Sequence, residues 1–336
     1  MKGKRVNRRS LLLGMALAPA IVRAAHAAPM ALRLSSSLPN NPKFANGRVY
    51  YDNLVKRLSS DGLADRIEVQ FFPDNQLGQE IDVVNSVSLG VIDLMVTGTS
   101  IWANVTPLIG LLDLGYLFES FPQQTKALDA GAAKPLEAAL RTGANVEIIG
   151  WAYNFGSRSV LCKSPVNAPA DLAGKRIRTL PNKIITECLR LMGAAATPLA
   201  FGEVYTALQA GVLDGLEHDP PTILASKFYE TAKFYSLTQH NFSALGVFCS
   251  GLTLNRMDAA LRDPFLAAAR EAAADTRVRG LEAEKEALES LKEKGVEIIA
   301  CDREPFRKLV LPQTDEFIKA HPEAKPIIDI IRGTKA

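Results

Sequence analysis

The chain has 336 residues, of which 47% are hydrophobic, 22% charged and 7% aromatic. This length and composition are those of a globular protein that is large enough for two domains. The 39 lysine and arginine residues nearly balance 36 acidic residues, and no basic cluster lies beyond the N-terminus, so the charge pattern gives no support for nucleic-acid binding.

Residues 1–27 have the pattern of an export signal. A basic start precedes the apolar run Leu11–Val22, and Ala25-His26-Ala27 offers small residues at the cleavage position. The Arg8-Arg9 pair resembles the twin-arginine class, and an ordinary secretory signal is the alternative. The apolar run is too short to span a membrane, and no later stretch reaches about 18 apolar residues. The sequence therefore predicts a periplasmic protein that is cleaved near Ala27.

Cleavage would also reverse the sign of the net charge. The signal holds six of the 39 basic residues and no acidic residue, which leaves 33 basic against 36 acidic residues and a net charge near −3. An attraction for acidic ligands in the mature protein must therefore be local.

The first predicted elements are a strand over Ala31–Ser35, a helix over Gly47–Leu58 and a strand over Ile67–Phe72. Ser36 and Ser37 follow the first strand, where their hydroxyl groups would face a cleft and bind ligand oxygens. Serines at a strand end also commonly satisfy a turn, which is the alternative.

Two segments repeat one pattern of helix end, glycine and short apolar strand: Val87–Met95 and Leu208–Leu216. Gly90 and Gly211 can each adopt the left-handed conformation that ends a helix, and the apolar runs after them suit buried parallel strands. One such unit in each half of the chain predicts two α/β lobes around a cleft, and two unrelated helix-to-strand connections are the alternative.

Between the two repeats, Val146–Gly150 is a predicted strand, and Asn154 lies just beyond its end. A further strand is predicted over Lys175–Thr179, followed by a helix that Pro181 opens and Gly193 ends. Arg178 would then lie at the carboxyl end of a strand, the side of an open parallel sheet where ligands bind. Its planar group of donors matches a carboxylate, although a solvated surface arginine is the alternative.

The last third contains a predicted long amphipathic helix over Asp263–Lys294. The four cysteines lie far apart without Cys-x-x-Cys spacing, so they indicate neither zinc nor redox chemistry: Cys162, Cys188, Cys249 and Cys301. Cys162 and Cys249 lie in strand-like runs that would cross between the lobes, and a disulfide between them requires that those runs bring them together.

Several motifs together carry a family resemblance. Asp171–Arg178 and Glu203–Gly215 resemble the solute-binding proteins of tripartite ATP-independent periplasmic (TRAP) transporters, the DctP family. Phe72–Gly78 and Gly90–Asp93 resemble that family's first-lobe motif, and Lys227–His240 resembles a later one, so the resemblance runs from about residue 32 to 299.

The resemblance implies a set of ligand-binding residues. It assigns Arg178 as the main anchor of a ligand carboxylate and Arg158 as a second contact. It places Phe201 at an aromatic position of the pocket wall, and packing of Phe201 in the core is the alternative. The segment Glu217–Pro221 departs from the Glu-Asn-Pro pattern of many relatives and is similar to a sugar-acid subgroup. His218 could donate or accept a hydrogen bond there, whereas Asp219 could only accept one or could instead cap the next helix.

The expected fold is an α/β periplasmic binding protein of two lobes, joined by hinge strands and braced by the long helix. We expect the first lobe to hold residues 28–155 and about 245–283, and the second lobe to hold residues 156–244 and about 284–336.

The resemblance implies that the protein delivers a small organic acid to the membrane subunits of a TRAP-type permease, without a cofactor or metal. A sugar acid, an aldonate or uronate, is the expected ligand; a C4 dicarboxylate, a 2-oxo acid or an aromatic acid is the alternative. A periplasmic enzyme is the alternative of another class, although no nucleophile elbow, His-Glu-x-x-His motif or phosphate-binding glycine loop is present in the sequence.

Overall fold

The structure is a computed structural model that describes residues 28–335, so the predicted export signal lies outside the described residues. Within this range the strands are β1 Met30–Ser35, β2 Ile67–Phe72, β3 Leu94–Gly98, β4 Val146–Cys162, β5 Arg176–Thr179, β6 Ala195–Pro198, β7 Gly215–His218, β8 Phe234–Ser250 and β9 Glu297–Ile299. The α-helices are α1 Asn46–Ser60, α2 Glu80–Ser88, α3 Phe121–Ala127, α4 Ala133–Ala144, α5 Lys183–Leu191, α6 Val204–Gln209, α7 Pro220–Ala225, α8 Gly251–Asn255, α9 Ala259–Glu293, α10 Glu304–Val310, α11 Pro312–Ala320 and α12 Ala324–Gly333.

Two long antiparallel strands connect the two lobes. The strand order is β2-β1-β3-β8-β4-β7-β5-β6, with β9 beside β8. β4 and β8 pair along their whole length, from Val146 opposite Ser250 to Cys162 opposite Phe234, with four register shifts between these ends. One end of this ribbon pairs with β3 and the other with β7, so the same two strands belong to both lobes.

The repeated sequence pattern has the predicted geometry. α2 and α6 each end two residues before a glycine with positive φ, +71° at Gly90 and +72° at Gly211, and the strands β3 and β7 follow. Each copy of the pattern therefore ends a helix and leads the chain into its own side of the sheet. β3 pairs parallel to β1, and β7 pairs parallel to β5.

The long helix α9 packs against both lobes. Its first half contributes Phe265 and Ala269 to the core beside β1, and its second half contributes Leu291 to the core beside β7. The small side chains of the first half permit a close approach, since a Cβ added at Gly150 of β4 would lie 2.7 Å from Ala273. The helix begins one turn earlier than the predicted Asp263 because Asp258 accepts a hydrogen bond from Leu261 N at 2.8 Å and caps it.

All four cysteines lie within the described part of the chain, and all four are free thiols. Cys162 and Cys249 lie at opposite ends of the β4–β8 ribbon, because Cys162 is opposite Phe234 whereas Cys249 is opposite Glu147. Fifteen residues of strand at about 3.3 Å each separate positions 234 and 249, so the alternative of a disulfide between these cysteines is wrong.

The predicted lobe boundaries stay a prediction, and the packing of the C-terminal helices favours one change to them. α12 buries Ile327 and Ile331 in the core that also contains Leu136 of α4 and Val83 of α2. The chain after about residue 312 therefore packs with the lobe to which residues 28–155 were assigned, whereas α10 packs with α5 on the other side.

Candidate functional site

A small cavity of about 20 Å³ lies between the lobes, where the ends of β1, β3, β5 and β7 meet the ribbon. This space holds about one water molecule, so the lobes must move apart before a small-molecule ligand can enter. The cavity is lined by Ser37, Leu38, Glu80, Thr97, Gly98, Ser100, Ile101, Phe155, Arg158, Arg178, Leu180, Phe201 and His218.

Arg178 is the main cation of the cavity wall. It lies near the end of β5, as predicted, and only 1% of it is exposed, so the alternative of a solvated surface arginine is wrong. Its Nε donates to Leu199 O at 2.9 Å, and its Nη1 and Nη2 have no hydrogen-bond partner within residues 28–335. Burial lowers the pKa of Arg178 to about 10, which still leaves the guanidinium charged at neutral pH. Two parallel donors are therefore available for one carboxylate.

Arg158 is engaged in a buried ion pair. Its Nε and Nη2 bind the two carboxylate oxygens of Glu217, with Nη2 2.7 Å from Oε1, and Nη2 also donates to Glu217 O at 3.1 Å. His240 Nε2 lies 3.5 Å from the same carboxylate. Burial opposes the charge on Glu217, but Arg158 and His240 outweigh it and lower its pKa to about 2. Arg158 thus reaches the cavity with much of its charge already compensated.

His218 lies at the end of β7 between two aromatic rings. The rings of Phe155 and Phe201 contact it edge to face, with centroids at 5.8 and 5.7 Å. Its Nδ1 lies 2.5 Å from Asp219 Oδ2. The other oxygen of Asp219 accepts a hydrogen bond from Thr222 N at 2.9 Å and caps α7, which is the alternative that the sequence left open.

The opposite lobe contributes a carboxylate that sequence reasoning missed. Glu80 is the first residue of α2, and its Oε1 accepts hydrogen bonds from Ser37 Oγ at 3.0 Å and Thr97 Oγ1 at 2.9 Å. The signal that could have revealed it was its place two residues after Phe72–Gly78, at the start of a helix that follows a strand end. Glu80 adds an acceptor to the wall that faces Arg178.

A second polar cluster joins the lobes beside the cavity. Asn182 caps α5 with its Oδ1, and its Nδ2 donates to Ser100 O at 2.7 Å and to Asp113 Oδ2 at 2.9 Å. Ser100 Oγ donates to the other oxygen of Asp113. Burial raises the pKa of Asp113 to about 7, against the opposing effect of the Ser100 hydrogen bond. These hydrogen bonds connect the lobes beside the cavity, and Gly202 of one lobe lies close to Gln79 of the other, since a Cβ added at Gly202 would lie 2.8 Å from Gln79 Nε2.

The structure therefore brings together five of the eight predicted site residues in the cavity wall: Ser37, Arg158, Arg178, Phe201 and His218. Asp219 lies behind His218, and Ser36 turns its hydroxyl to the backbone, accepting from Leu38 N at 3.2 Å. The backbone of Asn154 lies in β4, and its side chain lies outside the described part of the structure. The roles of all eight residues in binding stay predictions.

The model of bacterial extracellular solute-binding proteins of family 7, DctP, matches residues 49–320 of the chain. The chain belongs to this family. The predicted family and the two-lobed α/β fold are thus confirmed, and the family consists of transport proteins that bind substrates. This family 7 protein shares 30% identity over 267 residues with the 2,3-diketo-L-gulonate-binding periplasmic protein YiaO of Escherichia coli, which covers 79% of the chain and 81% of the relative.

Solved structures of TRAP periplasmic solute-binding proteins resemble the family 7 protein over most of its length. The protein from Polaromonas sp. JS666, bound to D-erythronate, has a TM-score of 0.85 and 30% identity, with 91% of this chain and 99% of that chain covered. The protein from Xanthobacter autotrophicus Py2, with bound β-D-galacturonate, has a TM-score of 0.85 and 26% identity, with 90% and 100% covered.

Two further observations concern the described part of this family 7 protein. Between residues 28 and 335, no group of three or more His, Cys, Asp or Glu side chains is arranged to hold a metal ion. No helix in the same range combines the length and the apolar character needed to cross a membrane.

Proposed function

We propose that the protein binds a sugar acid with a single carboxylate in the periplasm and delivers it to a TRAP-type permease. The observation that carries this proposal is the buried guanidinium of Arg178, whose Nη1 and Nη2 find no partner among the described residues. Burying charged donors without a partner costs folding free energy, so their presence in the cavity indicates a site for an anionic ligand.

The remainder of the cavity wall favours hydroxyl groups over a second anion. Glu80 and His218 offer acceptors, and Ser37 and Thr97 are oriented by Glu80. The other arginine of the wall, Arg158, is already paired with Glu217, so a second carboxylate would meet no comparable free cation there. A sugar acid fits this pattern better than a C4 dicarboxylate, and the ligands named for the relatives, 2,3-diketo-L-gulonate, D-erythronate and β-D-galacturonate, are oxygen-rich acids.

Transport would begin with closure of the lobes on the ligand. A ligand that contacts Arg178 on one side and Glu80 on the other binds the closed form more tightly than the open form, so it shifts the population towards closure. The closed form is then the one that the permease recognises. Residues 1–27 would direct export and be removed near Ala27, which places this exchange in the periplasm.

The test is a binding screen of the mature chain, from residue 28 onwards, freed of any carried-over ligand by unfolding and refolding. The panel contains D-galacturonate, D-glucuronate, D-erythronate, succinate, 2-oxobutyrate and benzoate. At a hundredfold excess over its dissociation constant, a ligand stabilises the protein by about 2.7 kcal/mol, which calorimetry and thermal melts both detect. Binding of a sugar acid without turnover supports the proposal. Binding of succinate alone, or conversion of the bound acid to product, overturns it.

A further inference from the structure

We propose that Asp219 fixes the tautomer of His218 so that the histidine presents only an acceptor to the cavity, and that the protein thereby selects ligands with a hydroxyl group at this position. This inference rests on the proposed function. It assigns to Asp219 a positioning role and to His218 a role in specificity.

The contact between the two side chains is buried and short. Asp219 is 1% exposed and His218 4% exposed, and 2.5 Å separates Asp219 Oδ2 from His218 Nδ1. Two lone pairs cannot approach so closely, so a proton lies between these atoms. We assign it to Nδ1, because a carboxyl group is ordinarily ionised at pH 7 and then only accepts. The backbone N–H of Asp219 also points at this Nδ1 from 3.0 Å, so a proton on Nδ1 is favoured only because the shorter, charge-assisted bond to Oδ2 outweighs the loss of that weaker bond.

Asp219 itself has little freedom to move. Its Oδ1 is held by Thr222 N, so Oδ2 is the oxygen left to accept the proton of His218. On its other side the backbone of β4 packs against it, because a Cβ added at Gly156 would lie 2.1 Å from the Cβ of Asp219. The rings of Phe155 and Phe201 fix the plane of the imidazole.

The imidazole is neutral near pH 7. Burial and the neighbouring charge of Arg158 lower the pKa of His218, and they outweigh the carboxylates of Asp219 and Glu217, which act in the opposite direction. A neutral imidazole with its proton on Nδ1 has a lone pair on Nε2. Since Nδ1 is occupied by Asp219, Nε2 is the nitrogen left for a ligand in the cavity.

The chemical consequence is a choice between ligand groups. A hydroxyl group can donate to Nε2, whereas a keto or carboxylate oxygen placed there would meet a lone pair and lose its hydrogen bond to water without replacement. Sites built around a ligand hydroxyl group reject the analogue that lacks it strongly, because their polar groups are then left unpaired.

The substitution Asp219→Asn tests this with almost no change in shape. The asparagine Oδ1 can still accept from Thr222 N, but its Nδ2 donates to His218 Nδ1 and forces the proton onto Nε2. The wild-type protein is first titrated with D-galacturonate, D-glucuronate and D-erythronate and with their monodeoxy analogues. For one hydroxyl group, we expect removal to weaken binding about tenfold or more in the wild type and less than threefold in Asp219→Asn. Asp258→Asn, a change of the cap of α9 far from the cavity, is the matched control and should keep the wild-type profile.

A measurement that needs no variant reads the tautomer directly. Nitrogen-15 NMR of the ligand-free wild-type protein should show the proton of His218 on Nδ1, and in Asp219→Asn it should show it on Nε2. The mature chain has only two other histidines to assign, His240 and His321. A proton on Nε2 in the wild type, or identical deoxy profiles in the wild type and Asp219→Asn, would overturn the inference. A wild type that binds none of the acids would instead refute the proposed function, and the NMR result would still decide the tautomer.

Discussion

Replacement of Arg178 by methionine should abolish ligand binding and yet leave the ligand-free protein at least as stable as before. Methionine roughly fills the volume of the arginine stem but supplies no donors. The two unpaired guanidinium nitrogens would each form a charged hydrogen bond with a ligand carboxylate, worth about 1.5–3 kcal/mol. Together they amount to about 3–6 kcal/mol, so affinity should fall about 10²–10⁴-fold.

The stability of the ligand-free protein should respond in the opposite direction. Burial lowers the pKa of Arg178 from 12.5 to about 10, which corresponds to about 3 kcal/mol of cost for holding the charge in the cavity. The variant escapes this cost but loses the hydrogen bond from Nε to Leu199 O, worth about 1 kcal/mol, and leaves that oxygen unpaired. Because a buried unpaired oxygen costs about 1–3 kcal/mol, the net gain should be about 0–2 kcal/mol, or at most roughly 4 °C in melting temperature.

Two assays check both halves of this prediction: titration calorimetry with the best acid of the panel, and thermal melts of the ligand-free protein. Arg176→Met is the matched control, because Arg176 lies on the same strand but is half exposed and paired with Asp214 on the surface. It should bind like the wild type. Affinity of Arg178→Met within threefold of the wild type would refute the anchor role. A melting temperature of Arg178→Met several degrees below that of the wild type would show that Arg178 stabilises the fold rather than serving only to bind a ligand.

Two further predictions concern the hinge. Burial, with the nearby charge of Asp219, raises the pKa of Glu284 to about 7, so the folded protein binds this proton more tightly than the unfolded chain and loses stability as the pH rises from about 4.5 to 7. Glu284→Gln should therefore be more stable than the wild type at pH 8, by at most about 3 kcal/mol, and equally stable at pH 4. Urea unfolding at the two pH values measures this difference. The exposed Glu282→Gln is the control and should show no such pH-dependent gain. Gly156→Ala should destabilise the protein by more than about 2 kcal/mol and weaken ligand binding, because the added Cβ would collide with Asp219. Gly174→Ala is the control: Gly174 also has a positive φ, but the space around it is open, so this variant should lose only about 1 kcal/mol to backbone strain. Thermal melts of both variants measure the difference.

The sequence was a good guide where local chemistry decides the structure. The glycines that end α2 and α6, the strand that presents Arg178 and the long helix all lie where their patterns predicted them. These features depend on a conformation only glycine adopts easily, on apolar periodicity, and on capping residues, all of which are readable within a few residues.

What the sequence did not reveal depends on contacts between distant segments. The pairing of Arg158 with Glu217 joins positions 59 apart, so nothing local showed that this arginine is already occupied. The burial of Arg178 depends on contact between the two lobes. Glu80 lies in the site because the start of α2 and the end of β3 lie at the same edge of the sheet. The separation of Cys162 and Cys249 likewise follows from the length of the β4–β8 pairing rather than from either cysteine's surroundings.

The continuous β4–β8 ribbon also couples the unfolding of the two lobes. Within residues 28–335, both strands and α9 pass from one lobe into the other, so the sheet of each lobe is completed by strands that it shares with the other lobe. We therefore expect unfolding of one lobe to destabilise the other, because the strands that would have to separate also belong to the sheet of the other lobe. We expect a single cooperative unfolding transition for the two lobes, even though closure on a ligand would move one against the other.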